Sequence, residues 1–262
     1  MPGPAASVRF LGHSSLLIEL DGTRILTDPL LGDRLGPLAR RPRASRDPLH
    51  LITADPILIS HAHHDHLHLP SLRHVLGTRL IVPRGLGSLL ERHGHLVTEV
   101  TPGEHVRVGE LTVEAMAARH HGGRRPFGPS GPALGYRIVG SSRLYFAGDT
   151  DLFPEMRDLA GEVDVALLPV WGWGPRLGSG HLDPQRAAEA VAVIRPRLAI
   201  PIHWGTFYPV GFARLWPQPL ARPPLDFAAE VARIAPATEV RVIAPGEATD
   251  LPDAPPAVSS RQ

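Results

Sequence analysis

The chain has 262 residues, 43% of them hydrophobic, with 27 basic and 26 acidic side chains and a formal net charge of +1. That suffices for one globular core, expected over residues 1–250, and no net basic balance points to a nucleic-acid partner. Cysteine is absent and every basic residue is arginine, which excludes disulfides, thiolate nucleophiles, thiolate metal sites, Schiff-base lysines and the P-loop lysine, so any metal must bind through nitrogen and oxygen.

Short β-rich runs separated by turn residues come first in chain order: SVRFLG from Ser7, SLLIEL from Ser15, RILTDP from Arg24, ILIS from Ile57, RLIV from Arg79, LVTEV from Leu96 and LTVEAM from Leu111. A second series follows with YRIV from Tyr136, RLYFAGD from Arg143, VDVALLPV from Val163, RLAIPIH from Arg197 and EVRVIAP from Glu239. The clearest helix is Pro184 to Arg195, with Asp183 as N-cap, proline in the first turn and Ala187, Val191 and Ile194 as its apolar stripe. Weaker helices are expected at Pro70–Leu76, Gly85–His93 and Asp226–Ile234. The stretches Leu30–His50, His121–Gly135 and Gly205–Pro224 read as loops, and the segment from Leu251 onward as a disordered tail. Many strands with few helices suggest two sheets packed face to face with helices outside. No apolar run approaches the roughly 18 residues of a membrane helix, and the opening MPGPAASVRF lacks the parts of a secretory leader, so a cytoplasmic protein is expected.

The segment LISHAHHDHLHLP from Leu58 to Pro70 carries the strongest chemical signal. In extended chain His61 and His63 point to one side while Ala62 and His64 face the other, and a turn after them swings Asp65 and His66 toward a second position. Imidazole and carboxylate together suit zinc, manganese or iron, whereas His64 and His68 should not be ligands. A solvated histidine tract is the alternative, but the apolar run before the cluster argues for anchoring at a sheet end. Later stretches add donors of the same types at strand exits: His120 or His121 in ARHHGG, Asp149 in FAGDTD, His181 in GHLDP and His203 in PIHWGTF. Asp28 in LTDP and His13 in LGHSS are candidates for holding the ligands, since each imidazole needs its second nitrogen paired.

The ordered motifs HAHHDH, RHHGGR, FAGDTD, GHLDP and IHWGTF resemble those of the metallo-β-lactamase superfamily. The resemblance runs from Phe10 to Phe207 and is nearest the branch that includes N-acyl-phosphatidylethanolamine phospholipase D and ascorbate-6-phosphate lactonase. It implies an α/β fold of four αββα layers, with two mixed β-sheets face to face and helices outside. It also implies two divalent metal ions, zinc first, with manganese, iron or nickel accepted. One ion falls to His61, His63 and His120, the other to Asp65, His66 and His203, and Asp149 touches both. His121 would take the family's aromatic position. Catalysis falls to Asp65, Asp149 and His181, with a hydroxide shared by the ions as nucleophile.

A small anionic or phosphorylated molecule is the expected partner, met by His181, Arg124, Trp171 and Trp173. The tryptophans could equally plug the core edge. Arg125 follows Arg124, while Arg40, Arg41, Arg43 and Arg46 crowd one expected loop and read as solvated. The implied reaction is hydrolysis of a small ester, lactone or phosphodiester. A nuclease of the same fold and a non-catalytic metal scaffold are the alternatives; the first is disfavoured because no basic stripe with interleaved aromatics is present.

Overall fold

The computed structural model describes residues 6–41, 53–75, 79–124, 128–174 and 176–252. Its first half contains β1 (Ser7–Gly12), β2 (Ser15–Leu20), β3 (Thr23–Thr27), β4 (Arg34–Leu35), β5 (Leu38–Arg40), β6 (Ile57–Leu58), α1 (Leu69–Leu72), β7 (Arg79–Pro83), α2 (Gly87–Glu91), β8 (Leu96–Val100), β9 (His105–Val108) and β10 (Leu111–Ala117). The second half contains β11 (Leu134–Val139), β12 (Arg143–Phe146), β13 (Val165–Pro169), α3 (Pro184–Ile194), β14 (Leu198–Ile202), β15 (Phe207–Pro209), α4 (Gln218–Ala221), α5 (Pro223–Ile234), β16 (Glu239–Val240) and β17 (Ala248–Asp250).

Among the described residues these strands make two seven-stranded sheets, ordered β17-β1-β2-β3-β6-β7-β8 and β16-β14-β13-β12-β11-β10-β9. The pleat explains how they stack. Leu16, Ile18 and Leu20 on β2 face the core between the sheets, whereas Leu17 faces the other side with Leu26, Ile57 and Leu80. The middle of the first sheet is thus buried on both faces, which is why its parallel strands β6 and β7 read as apolar runs rather than clean alternations, whereas the edge strand β8 is largely exposed. Helices α1 and α2 cover it with Leu72 and Leu90. On the far side α3 and α5 cover the second sheet through Ala187, Val191, Ile194, Phe227 and Val231, each full burial of a Val, Ile or Phe contributing about 1.5–3 kcal/mol. The result is the four-layer αββα order. The Tyr136 hydroxyl crosses between the sheets and donates to the carbonyl of Ile59 at 2.7 Å, just below the histidine-rich loop.

Helix α3 begins as its sequence dictates: Asp183 accepts from the backbone N–H of Arg186 at 2.9 Å and Pro184 opens the first turn. It ends one residue before the expected limit because Arg195 adopts the left-handed conformation with φ of 54°. Helix α5 starts three residues earlier than expected, with Pro223 and Pro224 in its first turn. Helices α1 and α2 are shorter than expected, and residue 76 lies outside the described residues.

Two expected loops contain structure. Within 30–50 the described residues form β4 and β5, and within 205–224 they form β15, a 3-10 turn at Phe212–Arg214 and α4; β15, β5 and β4 make a third, three-stranded sheet. Strands of two or three residues are too short to show a period. Arg40, read as solvated, is buried at 3% exposure. Its guanidinium donates to the carbonyls of Gly32, Leu11 and Leu30 and lies 4.8 Å from the Phe207 ring centroid, and burial pushes its pKa down to about 10. Arg43, Arg46 and Arg125 lie outside the described residues. Leu251, expected to begin the tail, is buried and donates its N–H to the Ala6 carbonyl at 2.8 Å, while 253–262 lie outside the described residues.

Candidate metal centre

Parallel strands in both sheets run out at one edge, where α/β folds place ligands. Strand β6 leads to Ser60 and His61, β12 to Asp149, and β14 to His203. After His63 the chain makes a helical turn, with the N–H groups of His66 and Leu67 donating to the His63 carbonyl at 3.1 and 2.8 Å. That turn carries Asp65 and His66 back beneath the loop. Gly148 makes room for the approach of Asp149: its φ is 60°, and a Cβ there would stand 2.8 Å from both the Leu134 carbonyl oxygen and Ser60 Cβ.

The donors of His61, His63 and His120 converge at one position, and those of His13, Asp65, His66 and His203 at a second, the donor atoms of each group within 4.8 Å of one another. His63 Nδ1 stands 3.2 Å from His120 Nε2, and His66 Nε2 stands 3.3 Å from His203 Nε2. Asp149 lies between the groups, its carboxylate oxygens 3.1 Å from His66 Nε2, 3.1 Å from His203 Nε2 and 3.4 Å from His181 Nε2.

Outer contacts fix which nitrogen faces inward. His120 Nδ1 donates to the Gly180 carbonyl at 2.8 Å and His203 Nδ1 to the Trp171 carbonyl at 2.7 Å. Carbonyls only accept, so in the neutral rings the Nε2 lone pairs point to the centre. His66 Nδ1 donates to Asp28 at 2.7 Å, and Asp28 also accepts from the backbone N–H and hydroxyl of Ser60 at 2.7 and 2.5 Å; that hydroxyl in turn accepts from His61 Nδ1 at 2.9 Å. Asp28 therefore reaches His66 directly and His61 through Ser60. It does so at φ of 35° and with no solvent exposure. Ser60 was not legible as a participant, since serine before histidine carries no spacing signal.

This donor set fits divalent cations. Two nitrogens on a tetrahedral zinc at about 2.0–2.1 Å stand roughly 3.3 Å apart, the spacing of the two imidazole pairs here. His61 Nε2 is buried and has no hydrogen-bond partner, a costly state for a ring nitrogen that a cation would relieve.

The electrostatics agree with that chemistry at His61, His63 and His203. Burial, reinforced by neighbouring imidazoles, pushes His61 well below the ordinary histidine range, His63 down to about 4 and His203 to about 3. Such rings stay neutral and keep a lone pair. Burial opposes charge on His66 as well, but the carboxylates of Asp149, Asp65 and Asp28 outweigh it and hold this ring well above the usual range. Burial also works against ionised Asp149, yet the charged His66 ring and the hydrogen bond from His181 keep it well below the usual carboxylate range.

Beside the donors opens a cavity of about 970 Å³, reached by His63, Asp65, Asp149, His181 and His203. Leu35 and Leu38 of the small sheet form one apolar wall, Trp173 and Leu177 another, and Arg176 stands at the edge. Trp173 is 44% exposed. Trp171, expected beside it, does not line the cavity: it packs against the main core, donates through Nε1 to Gly174 and offers its carbonyl to His203. Arg124 lines the cavity, but its guanidinium donates to the carbonyls of Ala62 and Leu67 and so clamps the histidine loop. His121 and His64 are exposed at the rim, and His68 Nδ1 pairs with the Ser71 hydroxyl at 2.7 Å. Sequence reasoning missed Leu35, Leu38 and Arg176, which no motif marks.

A family model described as a beta-lactamase superfamily domain matches residues 23–204. A protein of Opitutus terrae named as a metal-dependent hydrolase is 33% identical over 92% of this chain and 98% of its own length. The N-acyl-phosphatidylethanolamine-hydrolyzing phospholipase D 1 of Caenorhabditis elegans is 30% identical over 80% of this chain and 66% of its own. The solved structure of a metallo hydrolase from Ignicoccus hospitalis superposes with a TM-score of 0.73 at 23% identity, covering 96% of this chain and all of that one. The chain spans about 62% of the length of the mycobacterial relatives it matches at 32% identity. With its two packed mixed sheets and a family match over more than half its length, the chain belongs to the metallo-β-lactamase superfamily.

Proposed function

We propose that the chain is a dinuclear metal-dependent hydrolase that cleaves a small ester, lactone or phosphodiester. His61, His63 and His120 would hold one ion, Asp65, His66 and His203 the other, and Asp149 would serve both. Bound zinc, manganese, iron or nickel would supply an acidified water and a Lewis acid at the scissile group. The observation that carries the reading is the pair of imidazole–imidazole spacings at 3.2 and 3.3 Å, beside a His61 nitrogen left without a partner.

The chain's own groups do the rest. The walls of Leu35, Leu38, Trp173 and Leu177 hold the substrate body against the donors and exclude water. Arg176, exposed and without a carboxylate partner among the described residues, offers a guanidinium fork to an anionic substituent. His181 faces the cavity; burial lowers its proton affinity, but the Asp149 carboxylate beside it raises the pKa on balance, so that its Nε2–H can donate to charge developing on a substrate oxygen. The phosphodiester option is supported by the Caenorhabditis elegans relative, whose name specifies a phospholipid substrate.

The test is elemental analysis of the purified protein together with activity on chromogenic mono- and diesters before and after chelation. Two ions per chain, and hydrolysis that disappears on chelation and returns with added zinc, are expected. Asp149→Ala should lose metal and activity together. Full turnover by metal-depleted protein would end the proposal.

A further inference from the structure

The structure singles out a residue beyond the seven proposed ligands. His13 is 1% exposed and sits in the turn between β1 and β2, at φ of 59°. Its Nε2 lies 3.0 Å from Asp65 Oδ2. Its ring centroid lies 3.8 Å from that of His203, and Phe207 meets it edge-on at 5.9 Å. Its backbone is tied to the same loop: the His13 carbonyl accepts from His203 N–H at 2.8 Å, and His13 N–H donates to the Thr206 hydroxyl at 2.8 Å. Gly12 before it has φ of 111°, and a Cβ there would stand 2.6 Å from Thr206 Cγ2. The close approach of the two loops needs that glycine.

We infer that His13 is the positioning residue for one metal position only, the one formed by Asp65, His66 and His203. The Asp65 carboxylate would otherwise be free to rotate, because its neighbour His66 engages Asp28 and Asp149 and approaches Asp65 no closer than 3.8 Å. The hydrogen bond from His13 Nε2 fixes one carboxylate oxygen and leaves the other to aim at the centre, while the ring contact holds His203 in place. No contact joins His13 to His61, His63 or His120 among the described residues. His61 is oriented by Ser60 and His120 by the Gly180 carbonyl. His13 thus separates the two positions: it supports two ligands of one and none of the other.

The inference rests on the dinuclear reading, and the experiment keeps the two apart. The positive φ dictates the variants. Asn tolerates the left-handed conformation, yet its amide is too short to reach Asp65, so His13→Asn removes the hydrogen bond without straining the turn. His13→Gln places an N–H about where Nε2 stands. Zinc stoichiometry and stepwise affinity are measured by elemental analysis and competitive chelator titration, with the absorption spectrum of the cobalt-substituted protein and the melting temperature of the metal-free protein alongside. The expected result is two ions per wild-type chain. For His13→Asn, one affinity is unchanged, the other falls about 10–100-fold, and one cobalt band set is lost. His13→Gln should recover much of the second affinity. Equal weakening of both ions, or two ions bound at wild-type strength by His13→Asn, overturns the inference while leaving the dinuclear reading intact. Fewer than two ions on the wild-type chain overturns that reading, and the inference with it.

Discussion

His66 Nε2 and His203 Nε2 stand 3.3 Å apart although 137 positions separate them in the chain. One follows a strand of the first sheet and the other a strand of the second, so an ion between them would pin the two sheets together. Metal binding should therefore raise the melting temperature. Free zinc at about 100 times its dissociation constant is expected to add roughly 2.7 kcal/mol of stability. Thermal denaturation over a zinc series and after chelation checks this; a melting temperature indifferent to metal would show that the pair does not grip a cation.

Asp28 reaches both proposed positions, accepting from His66 directly and from His61 through the Ser60 hydroxyl. Asp28→Asn keeps the shape and tolerates φ of 35° but turns an amide donor toward groups that are themselves donors. Both ions should bind about 10–100-fold more weakly. Chelator competition reads the two affinities, and the joint loss contrasts with the selective loss expected for His13→Asn.

Trp173 walls the cavity without touching the donors, whereas Trp171 holds His203 through its carbonyl. Trp173→Ala should raise KM several-fold, about 1 kcal/mol of apolar contact, with kcat and metal content nearly unchanged. Steady-state kinetics on the best chromogenic substrate tests it. A fall in kcat at constant KM would place this ring in the chemistry instead.

Asp164 and Arg143 tie the starts of β12 and β13 together, with guanidinium contacts of 2.9 Å to each carboxylate oxygen and the Arg143 N–H donating at 3.0 Å. Burial works against the charged carboxylate, but these bonds win and hold the Asp164 pKa below its ordinary value. A depressed carboxylate pKa means stability that is present above the unfolded value near 4 and is lost as pH falls through the lower folded value. Asp164→Asn should cost about 1–3 kcal/mol at pH 7, and the gap to wild type should close as the pH drops below about 4. Urea midpoints for both proteins across pH 3–7 give the answer; a gap that ignores pH would assign the cost to packing.

Much of the centre was legible because its donors sit in short motifs at strand exits. Two-residue spacing is enough to put His61 and His63 on one side, and their rings lie 4.5 Å apart. The choice between His120 and His121 was not legible from spacing, since adjacent histidines offer the same chemistry. The family resemblance favoured His120, and in the fold it is His120 whose Nε2 joins the other two while His121 is exposed. The small sheet was invisible for a different reason: β4, β5 and β15 have two or three residues each, and pairing between segments far apart in the chain leaves no local period. With it went the apolar wall of Leu35 and Leu38, and the burial of Arg40 that the run of arginines had disguised.

By itself the sequence determined the donor chemistry, nitrogen and oxygen without sulfur, and the alternation of buried faces that makes two stacked sheets, because composition and period are local properties of the chain. Only the tertiary structure decided which loops meet at the sheet edge. It is there that Asp28 reaches His66 directly and His61 through Ser60, and His13 holds Asp65 against the His203 loop. Apart from the Ser60–His61 pair, these contacts join residues 32 to 193 positions apart, and they form only once burial of the apolar core has fixed the strands that carry them.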